Sequence, residues 1–122
     1  MGTWTSDELG KIADAEEIEI AALRPDGSLR KPVIIWVVRL GDDLYVRSVR
    51  GSTAAWFRGT QVQGLGHISA GSIEKDVSFT RVTDVDDELD AAYEAKYRSY
   101  PTAVTRITSA QARATTLRVD AL

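Results

Sequence analysis

With 122 residues, 43% of them hydrophobic, the chain has the length of one domain with a small core, and residues 1–122 are read as a single unit. A net charge of −3 gives no general attraction to nucleic acid, and the absence of cysteine excludes disulfides, thiolate metal sites and thiol catalysis. Residues 1–10 hold no basic segment followed by an apolar run, and the longest apolar run, residues 33–38, is too short to span a bilayer, so a cytoplasmic protein without membrane contact is expected.

The first element is announced by Thr5-Ser6-Asp7-Glu8, a capping box that predicts a short helix to about Ala13. Glu16 to Leu23 then alternates, with Ile18, Ile20 and Ala22 on one face, which predicts a half-buried strand. Arg24-Pro25-Asp26-Gly27-Ser28 has the residues of a tight turn: Pro presets one φ, Asp bonds the local backbone, and Gly accepts a positive φ. Arg30 to Leu40 follows as one strand, apolar on both faces and therefore expected to be central and covered on both sides. Gly41-Asp42-Asp43 turns the chain into a further strand, Leu44 to Val49.

Gly51 to Gly66 interrupts this pattern with a short helix that carries Trp56 and Phe57, capped by Ser52 and ended by Gly64 and Gly66. His67–Ala70 and Ser72–Val82 make a second hairpin around Gly71, with Ile73, Val77 and Phe79 on one face. A third helix starts near Asp86 and carries Leu89, Tyr93, Lys96, Tyr97 and Tyr100 until Pro101 stops it. Ala114–Val119 is the last strand. Six strands joined mostly by hairpins, with three short helices, predict a mainly β (α+β) domain: a six-stranded antiparallel barrel with N-terminal, central and C-terminal helices.

Two basic clusters stand out. Arg24, Ser28, Arg30 and Lys31 surround the first turn, and Arg47, Ser48, Arg50, Gly51 and Ser52 surround the loop before the Trp56 helix. Guanidinium forks, loop N–H groups and a helix N-terminus suit a phosphate; the alternative is solvated arginines, or arginines paired with nearby acids. Trp36 and Trp56 can wall a pocket for a flat ring or simply fill the core, and Tyr93 and Tyr97 can face a substrate or pack their helix onto the barrel. His67 is the only histidine and is read as structural or exposed. The acids Asp84, Asp86, Asp87, Glu88 and Asp90 lack the glycine and terminal glutamate of a calcium loop, so they are read as a solvated helix start and no metal is expected.

The ordered blocks Arg24-Pro25-Asp26-Gly27-Ser28-Leu29-Arg30-Lys31-Pro32-Val33, Ile35-Trp36-Val37-Val38, Leu44-Tyr45-Val46-Arg47-Ser48, Gly51 with Ala55-Trp56-Phe57, Ala92-Tyr93-Glu94-Ala95-Lys96-Tyr97 and Ala112-Arg113-Ala114-Thr115-Thr116-Leu117-Arg118 resemble the bacterial DUF2255 family. That family is grouped with FMN-binding split barrels and is similar to the deazaflavin-dependent nitroreductases. The resemblance implies a split β-barrel homodimer that holds FMN or the deazaflavin F420. Arg30, Lys31, Arg47, Ser48, Arg50, Gly51, Ser52 and Trp56 would lie at the cofactor, and Trp36, Tyr93 and Tyr97 at a small-molecule substrate. The activity implied is oxidoreduction carried by the cofactor, since the chain holds no acid–base or nucleophile set of its own. The loop between Arg47 and Trp56 is shorter than in the nitroreductases, which leaves open a barrel that binds a small ligand without catalysis, or one whose pocket is filled by its own side chains.

Overall fold

The computed structural model describes residues 4–122. Its first helix, α1 (Ser6–Asp14), has the predicted capping box: Thr5 Oγ1 accepts from the Glu8 N–H at 3.1 Å, and Glu8 Oε1 accepts from the Thr5 N–H at 3.0 Å. The strands that follow are β1 (Ile18–Ala22), β2 (Val33–Ile35), β3 (Val37–Leu40) and β4 (Asp43–Val46). A tight helical turn, Gly51–Thr53, leads into α2 (Ala55–Gln63). Strands β5 (Leu65–Ala70) and β6 (Ile73–Arg81), helices α3 (Asp86–Lys96), α4 (Pro101–Ile107) and α5 (Ala110–Arg113), and strand β7 (Leu117–Ala121) complete the order.

All strand pairs are antiparallel, and the sheet order is β2-β1-β5-β6-β7-β4-β3. The two ends of that order are consecutive in sequence, so the sheet wraps into a nearly closed barrel. The strand expected over residues 30–40 is thus two strands: its first half pairs with β1 and its second with β4. The break falls at Trp36, where the chain changes partner, and it makes seven strands of the expected six.

Alternate residues fill the barrel: Ile20 and Ile68, Val37, Val46 and Leu117, and Phe79 with Val119 all lie in one buried cluster with Leu9 and Ile12 of α1 and Phe57 of α2. Helix α1 covers one end, tied there by the Glu8–Lys75 ion pair at 3.1 Å. A second cluster forms outside the barrel, where Val38 and Tyr45 are covered by Leu89, Tyr93 and Tyr97 and by Val104 and Ile107 of α4. The expectation of two covered faces therefore holds for β3 and fails for β2, whose Ile34 is 65% exposed.

Two glycines have geometric work. Gly64 closes α2 at φ 68°, a conformation costly for other residues. At Gly66, strands β1 and β5 approach so closely that a Cβ would lie 2.3 Å from the Ala21 carbonyl oxygen. Pro101 does not simply stop a helix: α3 ends at Lys96, and Pro101 opens α4 in the first turn, where its missing N–H costs nothing. The helix expected to be capped by Ser52 is instead entered through Ala54, with no side-chain cap, and Ser52 lies in the preceding turn.

Candidate functional site

The partner switch at Trp36 builds the site. Tyr97, just past the end of α3, stacks on the Trp36 ring at 3.8 Å with the planes 3° apart. The Tyr97 hydroxyl donates to the Glu16 carbonyl at 2.7 Å and accepts from the Val37 N–H at 3.3 Å, while Lys96 Nζ donates to the Val37 carbonyl at 2.7 Å. The free edge of β3 is therefore held by Lys96 at the end of α3 and by Tyr97 just past it, and Trp36 is stacked on a buried phenol. Burial pushes the Tyr97 phenol above its ordinary range and the Lys96 ammonium down to about 8.

Trp36 also borders a cleft of about 210 Å³ whose wall includes Ile34, Ile35, Val49, Trp56, Ala103 and Ile107. Its polar lining is confined to Glu17 and Arg47. A neighbouring cavity of about 320 Å³ shares Val49 and Trp56 with it and adds Val33, Ser48, Arg50, Ala54 and Ala55. Three observations there suit an anion. The first N–H groups of α2 have no capping side chain. Ser48 is 1% exposed, and its Oγ has no hydrogen-bond partner. Arg50 makes no side-chain hydrogen bond or ion pair among the described residues.

Arg47 is placed differently from the phosphate-binding role expected of it. Its side chain is buried and spent within the protein: Nε donates to Thr116 Oγ1 at 3.0 Å, Nη1 to Asp90 Oδ1 at 2.6 Å, and Nη2 to the Asp86 carbonyl at 3.1 Å. The guanidinium also lies over the Tyr93 ring, 5.5 Å from its centre. The acids read as a solvated helix start include these two partners, which tie the first turn of α3 to the end of β4. The pairing is invisible in sequence because 43 residues separate Arg47 from Asp90.

The remaining expected residues divide. Tyr93 and Tyr97 are buried and do not border the cleft. Arg30 and Lys31 border neither cavity, and the Arg30 side chain lies against Gly59 of α2. Gly51 is packed against Gln111, and neither it nor Ser52 borders the two cavities. Sequence reading missed Val49, Ala103 and Ile107, the last two because Pro101 signals a helix start as well as a stop. His67 sits on the outer face of β5 between Asp76, 3.1 Å away, and Glu74, 3.3 Å away, and these carboxylates raise its pKa.

No helix among the described residues is long and apolar enough to cross a membrane, and no group of three or more acids and histidines among them could hold a metal ion. Solved structures share the architecture at low identity. The structure of HutZ, the heme storage protein from Vibrio cholerae, superposes with a TM-score of 0.61 at 10% identity, over 95% of this chain and 87% of that one. An F420 reductase gives 0.54 at 13% identity, over 90% and 87%. An FAD-binding protein from Mesorhizobium loti gives 0.53 at 14% identity, over 95% and 87%. No curated protein matches the sequence significantly. The barrel fold is shared with these structures, and residues 8–119 match the family described as an uncharacterized protein conserved in bacteria, DUF2255, to which the chain belongs.

Proposed function

We propose that the protein binds a flavin-type cofactor, FMN or the deazaflavin F420, with the ring in the cleft between Trp36 and Trp56 and its phosphate beside Ser48 and Arg50. The observation that carries this reading is the cavity bordered by the uncapped start of α2 and the unpaired Arg50, with Ser48, whose Oγ is buried and unpartnered, in its wall. A buried hydroxyl without a partner costs stability, and an anion in that cavity would supply the partner. The apolar aromatic wall would exclude water and hold a flat ring.

The donor set fits a flavin better than a haem. Haem iron takes an axial His, Met, Cys or Tyr, and none of these borders the cleft among the described residues. When bound, a flavin-type cofactor supplies hydride chemistry, so the protein would act as an oxidoreductase on a small organic molecule by positioning it and keeping the site dry. A second reading is a binder without catalysis. It is favoured by the cleft's polar lining, in which Arg47 is already spent and only Glu17 is left. Under either reading the apolar residues left exposed at the rim, Ile34 and Val49, are the surface on which we place a homodimer contact.

The test is a titration of the protein with FMN and with F420, read by ligand fluorescence. Saturable micromolar binding is expected, weakened about tenfold or more in Arg50→Gln and in Trp56→Ala, a loss of at least ~1.4 kcal/mol. Ser48→Ala should weaken binding while leaving the thermal midpoint of the free protein unchanged or raised. Absence of saturable binding by the folded protein would move the assignment to a barrel filled by its own side chains. Bound cofactor with no reduction of any small acceptor would favour the binder.

A further inference from the structure

A second basic place lies beside the first, marked by two arginines on one concavity. Arg39, Arg47, Arg113 and Arg118 are each paired with an aspartate, and Lys11 and Lys75 with acids of α1. Arg50 and Arg106 are two of the nine Lys and Arg residues that have no acidic partner among the described residues. Both border one cavity of about 510 Å³ between the loop after β4 and the α4–α5 segment, and no carboxylate lines it.

The other polar groups on its wall are engaged. Thr105 Oγ1 donates to the Pro101 carbonyl at 3.0 Å, Ser109 Oγ to the Arg106 carbonyl at 2.8 Å, and Gln111 Nε2 to the Val49 carbonyl at 3.0 Å. Two like charges on one concavity repel each other, and an anion between them would relieve that repulsion and accept from both forks. The cavity also continues from the site already described: Val49 borders all three concavities, and Arg50 borders both this one and the Ser48 cavity.

We infer that Arg106 adds a second anion subsite that shares Arg50 with the first, and that the ligand of the cleft carries two anionic groups in series, as a diphosphate-linked dinucleotide does. The inference rests on the reading of the cleft as a flavin-type site and adds the ligand's class. The ring lies at Trp36 and Trp56, the first anion at Ser48 and the start of α2, and the second past Val49 at Arg106.

A ladder of ligands with one ring tests this: riboflavin, FMN and FAD, together with their deaza analogues, titrated into the intact protein and into Arg106→Gln. Arg106 is exposed, so the variant is expected to fold, and its thermal midpoint checks that it has. In the unaltered protein each added anion should tighten binding about tenfold. Arg106→Gln should erase the step from FMN to FAD and leave the step from riboflavin to FMN. Equal binding of FMN and FAD, or an FAD advantage that survives Arg106→Gln, overturns the second subsite and leaves the cleft reading standing. If no member of either ring series binds the folded protein, the cleft reading fails and the subsite fails with it.

Discussion

Lys96 shows how a single side chain reports on the architecture. Its ammonium lies half-buried over the Tyr97 ring, donates to the Val37 carbonyl, and is pushed down to about 8 by burial. A lysine whose pKa is lower folded than unfolded makes the unfolded chain hold more protons between those two values. Stability attributable to Lys96 therefore rises as pH climbs from about 8 toward about 10, the range in which the unfolded lysine still keeps its proton. Above that range the raised phenols of Tyr93 and Tyr97 act in the opposite sense, because the folded state then holds their protons more tightly. Thermal melts of the native protein and of Lys96→Met across this interval should diverge, with the native protein gaining relative to the variant. Parallel curves would mean that the ammonium is solvated.

At the scale of elements, Arg47 joins four segments of the fold. It leaves the end of β4 and bonds the first turn of α3 through Asp86 and Asp90, the start of β7 through Thr116, and the end of α4 through the Ile107 carbonyl at 3.3 Å. Removing one member of such a pair leaves charge in a poorly solvated place, which costs about 3–5 kcal/mol when burial is complete. The two aspartates are about a quarter exposed, so Arg47→Met should lose about 3 kcal/mol in urea unfolding, the lower end of that range. A loss below about 1 kcal/mol would show that the pair behaves as a surface ion pair. The arginine was legible as functional chemistry only because its strand position and charge invite that reading. Its partners lie in an acidic run that looks solvated in one dimension.

For the whole molecule, the barrel closes on one stretch of chain that serves two strands. Its first half, β2, keeps one face uncovered, and Ile34 stands 65% exposed beside the cleft. A homodimer formed there would bury that side chain and the neighbouring rim. Sedimentation velocity should give a dimer for the native chain and a monomer for Ile34→Glu. A native monomer at micromolar concentration would remove the dimer from the proposal and leave the cleft accessible from one chain.

Local chemistry was enough for much of this protein. The Thr5–Glu8 capping box, the turn around Gly27, the hairpin across Gly71 and the alternation of β6 each depend on residues within a few positions of one another, and each stands where the periodicity puts it. The antiparallel barrel followed from those elements. The break at Trp36 did not, because the apolar pattern of residues 30–40 runs on unchanged; the chain bends there only because β1 and β4 claim its two halves. The site is of the same kind. Trp36, Val49, Trp56 and Ala103 come from separate segments, and whether a tyrosine, an arginine or a tryptophan faces ligand or core depends on which distant groups pack against it. Tyr97 is stacked on Trp36, Arg47 is spent on Asp90, and Arg106 is left without a counter-charge because the folding of the chain around the barrel, rather than sequence spacing, sets which charges meet.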